Sequence, residues 1–406
     1  MKKVRLVSLL ALATASVAVL AGCNDSGKMK VGLICLHPAA SSTYDKNFVD
    51  AFKESAKKMG FEPIIRENVP EGPECTDVAE NLAETGCKVI FADSFGHEDY
   101  MMEAARKYPK VQFCHATGTK AEGKDGKAAL PNYHNAFASI YEGRYLAGVV
   151  AGMKLQAMKA ADATVASKIG YVAAHPYAEV MSGYTSFYLG VKSIVEDVTM
   201  DVKYTNSWYD ETAERTAAKA LIAGGAVLIS QHADSYGAPS ACEEAGVPNV
   251  SYNGSTAAVA PETFLVSSRI NWSPFYEFVV DAVKKADSPE KANIPANWCG
   301  GFKEGSVELS ELGKNVAPNT QAKINEVKAK LENGSLKVFD TSKFTVKGAA
   351  PSEENMAPST QWTFDYPEGT KFVKDGYYHE SEYRSAPSFD VLIDGINDLG
   401  SVEAAQ

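Results

Sequence analysis

The sequence predicts an α/β protein built as two doubly wound lobes joined by crossover hinge segments. Three observations lead there. Short β-rich runs alternate with amphipathic helical periodicity from Met29 onward, the signature of parallel strand–helix units. The strand, polar-aromatic tip and helix layout of the first half returns in the second. Polar and aromatic residues collect where the apolar runs end, and in an open parallel sheet that edge is where ligands bind. With 406 residues, 45% of them apolar, the chain has material for two cores.

Residues 1–22 read as an export signal: Lys2, Lys3 and Arg5, an apolar run from Leu6 to Leu20, then Ala21-Gly22. The run is short for a membrane span. Leu20-Ala21-Gly22-Cys23 looks like the bacterial lipobox, which makes Cys23 the lipidated first residue and 23–28 a brief tether. The mature chain is therefore expected outside the cytoplasm, held at the membrane surface.

The elements of lobe one follow in order. Lys30–Leu36 is a strand, and Asn47–Met59 a helix stopped by Gly60. Glu62–Arg66 is a strand, Cys75–Glu84 a helix, Lys88–Ala92 a strand, and Asp99 caps a helix to Tyr108 before the strand Lys110–Cys114. The first crossing is placed near Asn132–Ile140, ahead of a long helix, Glu142–Met158, whose Ala and Gly residues suit close helix packing. Lobe two then runs through strands at Lys168–Ala174, Thr199–Lys203, Ala226–Ser230 and Pro248–Ser251. Between them lie helices at Val180–Ile194, Asp210–Ala223 and Pro239–Glu244. Phe264–Arg269 reads as a strand crossing back to lobe one, and Pro274–Lys285 as the helix after it. The lobes are thus expected at 29–137 plus 270–292 and at 138–269 plus 293–406. Residues 335–406 form an elaboration of lobe two with no assigned role, into which Trp362 packs.

The composition excludes several function classes. Net charge is −11, and loss of the three basic residues of the signal takes it to −14, which argues against a nucleic-acid partner. The seven cysteines are scattered without a close CxxC pair, so no metal site is expected. Cys75 and Cys87 flank Thr76–Glu84 and stay open as a disulfide or two free thiols. There is no Gly-x-Ser-x-Gly elbow, HExxH or P-loop, and no dinucleotide fingerprint, so neither a catalytic residue nor a cofactor is assigned. Cys35 with His37 shares a strand face, but the pair has no further catalytic partner.

What remains is the set of strand tips: Tyr44 and Asp45, Asp93 and Phe95, His175, Asn206 and Trp208, Gln231 and Asp234, Asn253, Trp272 and Trp298. Two lobes hinged about a cleft capture small molecules. Aromatic faces from opposite walls sandwich a planar ring, and carboxylates and amides bond its polar edge.

Val31-Gly-Leu-Ile34, Ser42-Thr-Tyr-Asp-Lys-Asn-Phe48, Ile90-Phe-Ala-Asp-Ser-Phe-Gly96, Asn206-Ser-Trp-Tyr-Asp210, Gln231-His-Ala-Asp-Ser235 and Asn297-Trp-Cys-Gly-Gly-Phe-Lys-Glu-Gly-Ser-Val307 together resemble the basic membrane protein family. These PnrA-like proteins are substrate-binding lipoproteins of ABC transporters. The resemblance runs from about residue 29 to 312 and implies a type I periplasmic-binding fold, a membrane permease as partner, and a purine nucleoside or nucleobase as ligand. It puts Tyr44 in place of a stacking phenylalanine, Asp45 in place of the asparagine beside it, and Phe95 on a Gly-Phe position. Asn253 stands where nucleoside binders carry a ribose-contacting aspartate. With Trp298-Cys-Gly-Gly301, this implies a free adenine-like base ahead of a nucleoside. His175, Asn206, Trp208, Asp234 and Trp272 complete the expected ligand set, and the chain is expected to act as a monomer. The alternatives are a receptor for another planar or sugar-like solute and a surface-anchored nucleoside hydrolase.

Overall fold

The computed structural model describes residues 27–123, 128–358, 366 and 369–402; the export signal, Cys23 and Trp362 lie outside them. The first lobe opens with β1 (Lys30–Ile34), α1 (Thr43–Met59), β2 (Glu62–Arg66), α2 (Pro73–Glu84), β3 (Cys87–Ala92), α3 (Glu98–Lys107), β4 (Gln112–Ala116) and β5 (Tyr133–Ala138). The chain crosses into α4 (Ile140–Ala161), β6 (Lys168–Ala173), α5 (Ala178–Lys192), β7 (Thr199–Tyr204), α6 (Glu211–Ala223), β8 (Ile229–His232), α7 (Gly237–Ala245), β9 (Asn249–Tyr252) and β10 (Phe264–Ile270). It returns for α8 (Ser273–Lys285) and β11 (Asn297–Gly300), then crosses a third time into β12 (Val307–Leu309) and α9 (Thr320–Glu332). A short α10 (Glu353–Met356), a hairpin of β13 (Val373–Lys374) and β14 (Tyr377–Tyr378), and β15 (Ile396–Ser401) complete the chain.

Lobe one is a six-stranded parallel sheet in the order β11-β5-β4-β3-β1-β2. Lobe two has seven strands, β12-β10-β9-β8-β6-β7-β15, parallel except for the β10–β12 pair. Helices cover both faces, which is why strands such as Val31–Ile34 and Tyr133–Ala138 are buried along their length. The α1 helix starts where Ser42 accepts the Asp45 N–H and stops at Gly60, whose φ of 70° suits glycine.

Three expectations change. Phe264–Ile270 stays in the second sheet beside β9, because its apolar residues are buried there and the crossing follows it. Asn297–Gly300 belongs to the first sheet, where it pairs in parallel with β5, so lobe one extends past residue 292. Cys75 and Cys87 are separate buried thiols. The elaboration ends as a strand, β15, on the exposed edge of β7; pairing covers that otherwise open row of backbone donors and acceptors.

The three crossings bond to one another. Ser139 N–H donates to Gly300 O at 2.9 Å, Asn271 N–H to Ser306 O at 2.8 Å, and Phe302 N–H to a Glu142 carboxylate oxygen at 2.9 Å. The lobes also touch directly across the cleft. The Thr43 N–H and hydroxyl both donate to the Asp234 carbonyl at 3.2 Å, and the Asn47 amide reaches Ile270 O. The arrangement is closed.

Candidate ligand cleft

The carboxyl ends of both sheets face each other across a narrow slot, the edge at which open parallel sheets bind ligands. Lobe one contributes His37, Tyr44, Asp45, Phe95 and Thr117; lobe two contributes Glu179, Trp208, His232, Asp234 and Tyr252. No lysine or arginine lines it among the described residues.

On the lobe-one side, the Tyr44 hydroxyl donates to Asp93 O at 2.6 Å and its ring packs on Phe48, 4.9 Å between centroids. Asp45 sits at the third position of α1, where its carboxylate accepts the His37 N–H at 2.8 Å and the Ser42 hydroxyl at 2.5 Å. Part of its capacity therefore holds the β1–α1 loop, and what remains faces the slot. Asp93 lies behind it. Its Oδ1 accepts the Leu36 N–H at 3.1 Å, and its buried Oδ2 meets no donor. Burial, and then the Asp45 charge, push its carboxyl well above the usual carboxylate range. Protonated, the Asp93 carboxyl can donate toward Asp45 beneath the slot. Cys35 joins them to bring three ligand-type atoms within 4.8 Å of one another, and burial followed by the Asp93 charge keeps its thiol protonated. It is no nucleophile.

On the lobe-two side, Trp208 is propped edge-on by His175 (5.0 Å, 69°) and Tyr177 (5.8 Å, 69°), which stack on each other. His232 lies against Tyr252, 4.3 Å between centroids, and burial lowers its pKa. The imidazole is neutral, with Nε2 3.7 Å from a Glu179 carboxylate oxygen and Nδ1 buried without a partner, so it keeps one donor and one acceptor. Asp234 is held above the ordinary carboxylate range by burial and then by Asp45, with the Asn253 amide beside it pulling the other way. Arg144 of α4 lies under this wall, fully buried. Its guanidinium donates to Ser251 O, Gln231 O, the Ser230 hydroxyl and the Tyr171 hydroxyl, fixing the ends of β8 and β9.

The structure thus gathers Tyr44, Asp45, Phe95, Trp208 and Asp234 at the slot, with His175 and Asn253 immediately behind. It does not bring in the other three. Asn206 is exposed, adopts a left-handed φ of 58°, and donates to the Ser401 hydroxyl at 2.8 Å on the outer edge of lobe two. Trp272 is buried at the second crossing, stacked on Phe48 at 4.3 Å. Trp298 packs on Phe275 at 5.1 Å in the first sheet. The expected ligand set lacks His37, Thr117, Glu179, His232 and Tyr252. Thr117 is a β-branched residue with φ of 65° and a buried hydroxyl without a partner; that strain, of a kind concentrated at functional sites, leaves no mark in the sequence.

The model of the family described as ABC transporter substrate-binding protein PnrA-like (Bmp) matches residues 28–342. The chain belongs to that family. It is a solute-binding transport protein, not an enzyme; it works outside the cytoplasm, receiving a small-molecule ligand and serving a membrane permease. A purine-binding protein of Brucella abortus (strain 2308) is 33% identical over 315 residues, 77% of this chain and 83% of that one. A Haloferax volcanii protein named as a glucose-binding component of an ABC transporter is 32% identical over 267 residues, 66% of this chain and 63% of that one. Among solved structures, a solute-binding protein of an ABC transporter system from Conexibacter woesei superposes with a TM-score of 0.60 at 19% identity, covering 76% of this chain and 98% of that one. This last likeness concerns the fold, a periplasmic-binding-protein-like pair of sheet-rich lobes.

Proposed function

We propose that this family member captures a free purine base, adenine-like in its donors, in the interlobe slot and delivers it to its permease as a monomer anchored through Cys23. The observation that carries the reading is the make-up of the slot. Aromatic rings from both lobes (Tyr44 and Phe95 on one side, Trp208 and Tyr252 on the other) enclose a space edged by Asp45, Asp234 and Glu179. Flat faces take the ring plane, and carboxylates take the exocyclic amine and ring N–H. The lining lacks a basic side chain to attract a phosphate, which sets nucleotides aside. Asn253, buried beside Asp234, supports the base ahead of the nucleoside, and the purine-binding name of the Brucella relative agrees with the class.

The name of the Haloferax relative favours a second reading, a hexose, whose hydroxyls also donate to carboxylates. Titration calorimetry of residues 24 onward against adenine, guanine, hypoxanthine, their nucleosides and glucose separates the two. Binding of a base is expected, weakened about tenfold or more by Trp208→Ala through loss of stacking. Silence of every base and nucleoside at high micromolar concentration, with heat from glucose, gives the site to a sugar.

A further inference from the structure

The family match ends at residue 342, and the segment that follows comes back to the cleft. A second, small cavity adjoins the slot and shares Phe95, Thr117 and Glu179 with it. Its remaining walls include Tyr177 and Ala178 from lobe two and, opposite them, Ala386 and Pro387. Neither lobe sheet supplies that last wall.

The segment is fastened unequally. Toward lobe two it is rooted in packing. β15 pairs along β7, and Phe389 stacks on Phe339 at 4.5 Å and 15°. Within the segment the buried Glu380 carboxylate collects the Ser388 N–H and hydroxyl and the Phe389 N–H, between 2.9 and 3.0 Å, and toward lobe two it meets Ser182 of α5. Toward lobe one, among the described residues, it is held by hydrogen bonds. Arg384 donates to Thr119 O at 3.1 Å, and the Ser385 N–H and hydroxyl donate to the Asn297 side-chain Oδ1 at 3.3 and 3.2 Å.

We infer that Ala386 and Pro387 form a third wall of the ligand site and determine which ring substituents it admits. The assignment rests on the reading of the cleft as the ligand site. The two side chains are small and apolar, and Pro387 has no backbone N–H, so this wall offers chiefly apolar contact. The wall therefore suits a bare or apolar ring edge and disfavours a ribose.

Two measurements decide it. The first needs no ligand. Ala178, buried in the second cavity, is replaced (Ala178→Cys), and its alkylation by iodoacetamide is followed by peptide mass spectrometry. Adding Arg384→Ala and Ser385→Gly, or Asn297→Ala from the opposite side, is expected to speed alkylation about fivefold or more by freeing the segment. A rate within twofold of the parent, in a variant whose circular dichroism is unchanged, overturns the assignment. The second measures purine base and nucleoside affinity in Pro387→Trp. An affinity shift of about tenfold, larger for the nucleoside, is expected from filling the second cavity. Affinities within twofold of the parent for both overturn the wall. If the unaltered protein binds no purine, the ligand reading fails, while the alkylation rate still decides the wall.

Discussion

Asp234→Asn is expected to weaken ligand binding about tenfold to a hundredfold and, at the same time, to raise the melting temperature of the ligand-free protein. The substitution is nearly isosteric, so packing is kept. It removes one charged acceptor, and a hydrogen bond to a charged group contributes about 1.5–3 kcal/mol, with about 1.4 kcal/mol per factor of ten in affinity. The opposite sign on stability follows from where the carboxyl sits. Asp234 is buried and neighboured by Asp45, Glu214 and Glu179, and its pKa is raised accordingly. In the unfolded chain an aspartate ionises near pH 4, whereas the folded protein keeps the proton. The unfolded state then binds fewer protons, and stability falls as pH rises from about 4 toward the raised value. An amide has no such cost, so the melting temperature of Asp234→Asn should fall less steeply with pH than that of the parent. A ligand N–H favours the ionised acid, so binding should expel protons and tighten with rising pH. Calorimetry in buffers of different ionisation enthalpy reads that release. Unchanged affinity in Asp234→Asn would remove this residue from the ligand's polar edge.

Much of this was legible from pattern. Alternating strand and helix periods, with glycines such as Gly60 and Gly246 closing helices, mark most of both sheets, because parallel strands buried on two faces are apolar throughout. The rule that ligands meet strand carboxyl ends led to Tyr44, Asp45, Phe95, Trp208 and Asp234. The same rule failed for Asn206, because asparagine at a strand end has a second cause: it tolerates the left-handed backbone that the turn requires. Trp272 and Trp298 failed for a related reason. A tryptophan at a strand end also fills the space between sheet and helix, and stacking on Phe48 or Phe275 has no sequence signature. Glu179 belongs to a helix start, where nothing separates it from ordinary surface residues, and Tyr252 closes β9 at the strand end, where a tyrosine reads equally as a core ring. The place of β15 on the edge of the lobe-two sheet and the return of β11 to lobe one depend on pairing between distant segments, which local periodicity does not carry.

The small residues of the long helix do have a readable cause, and it yields the largest stability prediction. Helices α4 and α5 cross with their backbones in contact. A Cβ on Gly148 would lie 2.1 Å from Phe187 O, and one on Gly190 would lie 2.1 Å from Tyr145 O. Carbonyl oxygens in helices cannot swing aside, so Gly148→Ala or Gly190→Ala must push the helices apart. Each is expected to destabilise by about 1–3 kcal/mol, even though alanine adds about 1 kcal/mol of helix propensity over glycine. Calorimetric melting should show a drop of several degrees, about 2–4 °C per kcal/mol for domains of this size. Together the two should cost less than their sum, since one separation of the helices relieves both clashes; strictly additive losses would mean that α4 and α5 do not move as a unit. The effect should reach the cleft as well. Arg144 lies one turn before Gly148 on α4, and it holds the ends of β8 and β9 through Gln231 O and Ser251 O. Displacing α4 shifts His232 and Tyr252 with those strands, so ligand affinity should fall in the glycine variants although neither glycine lines the slot.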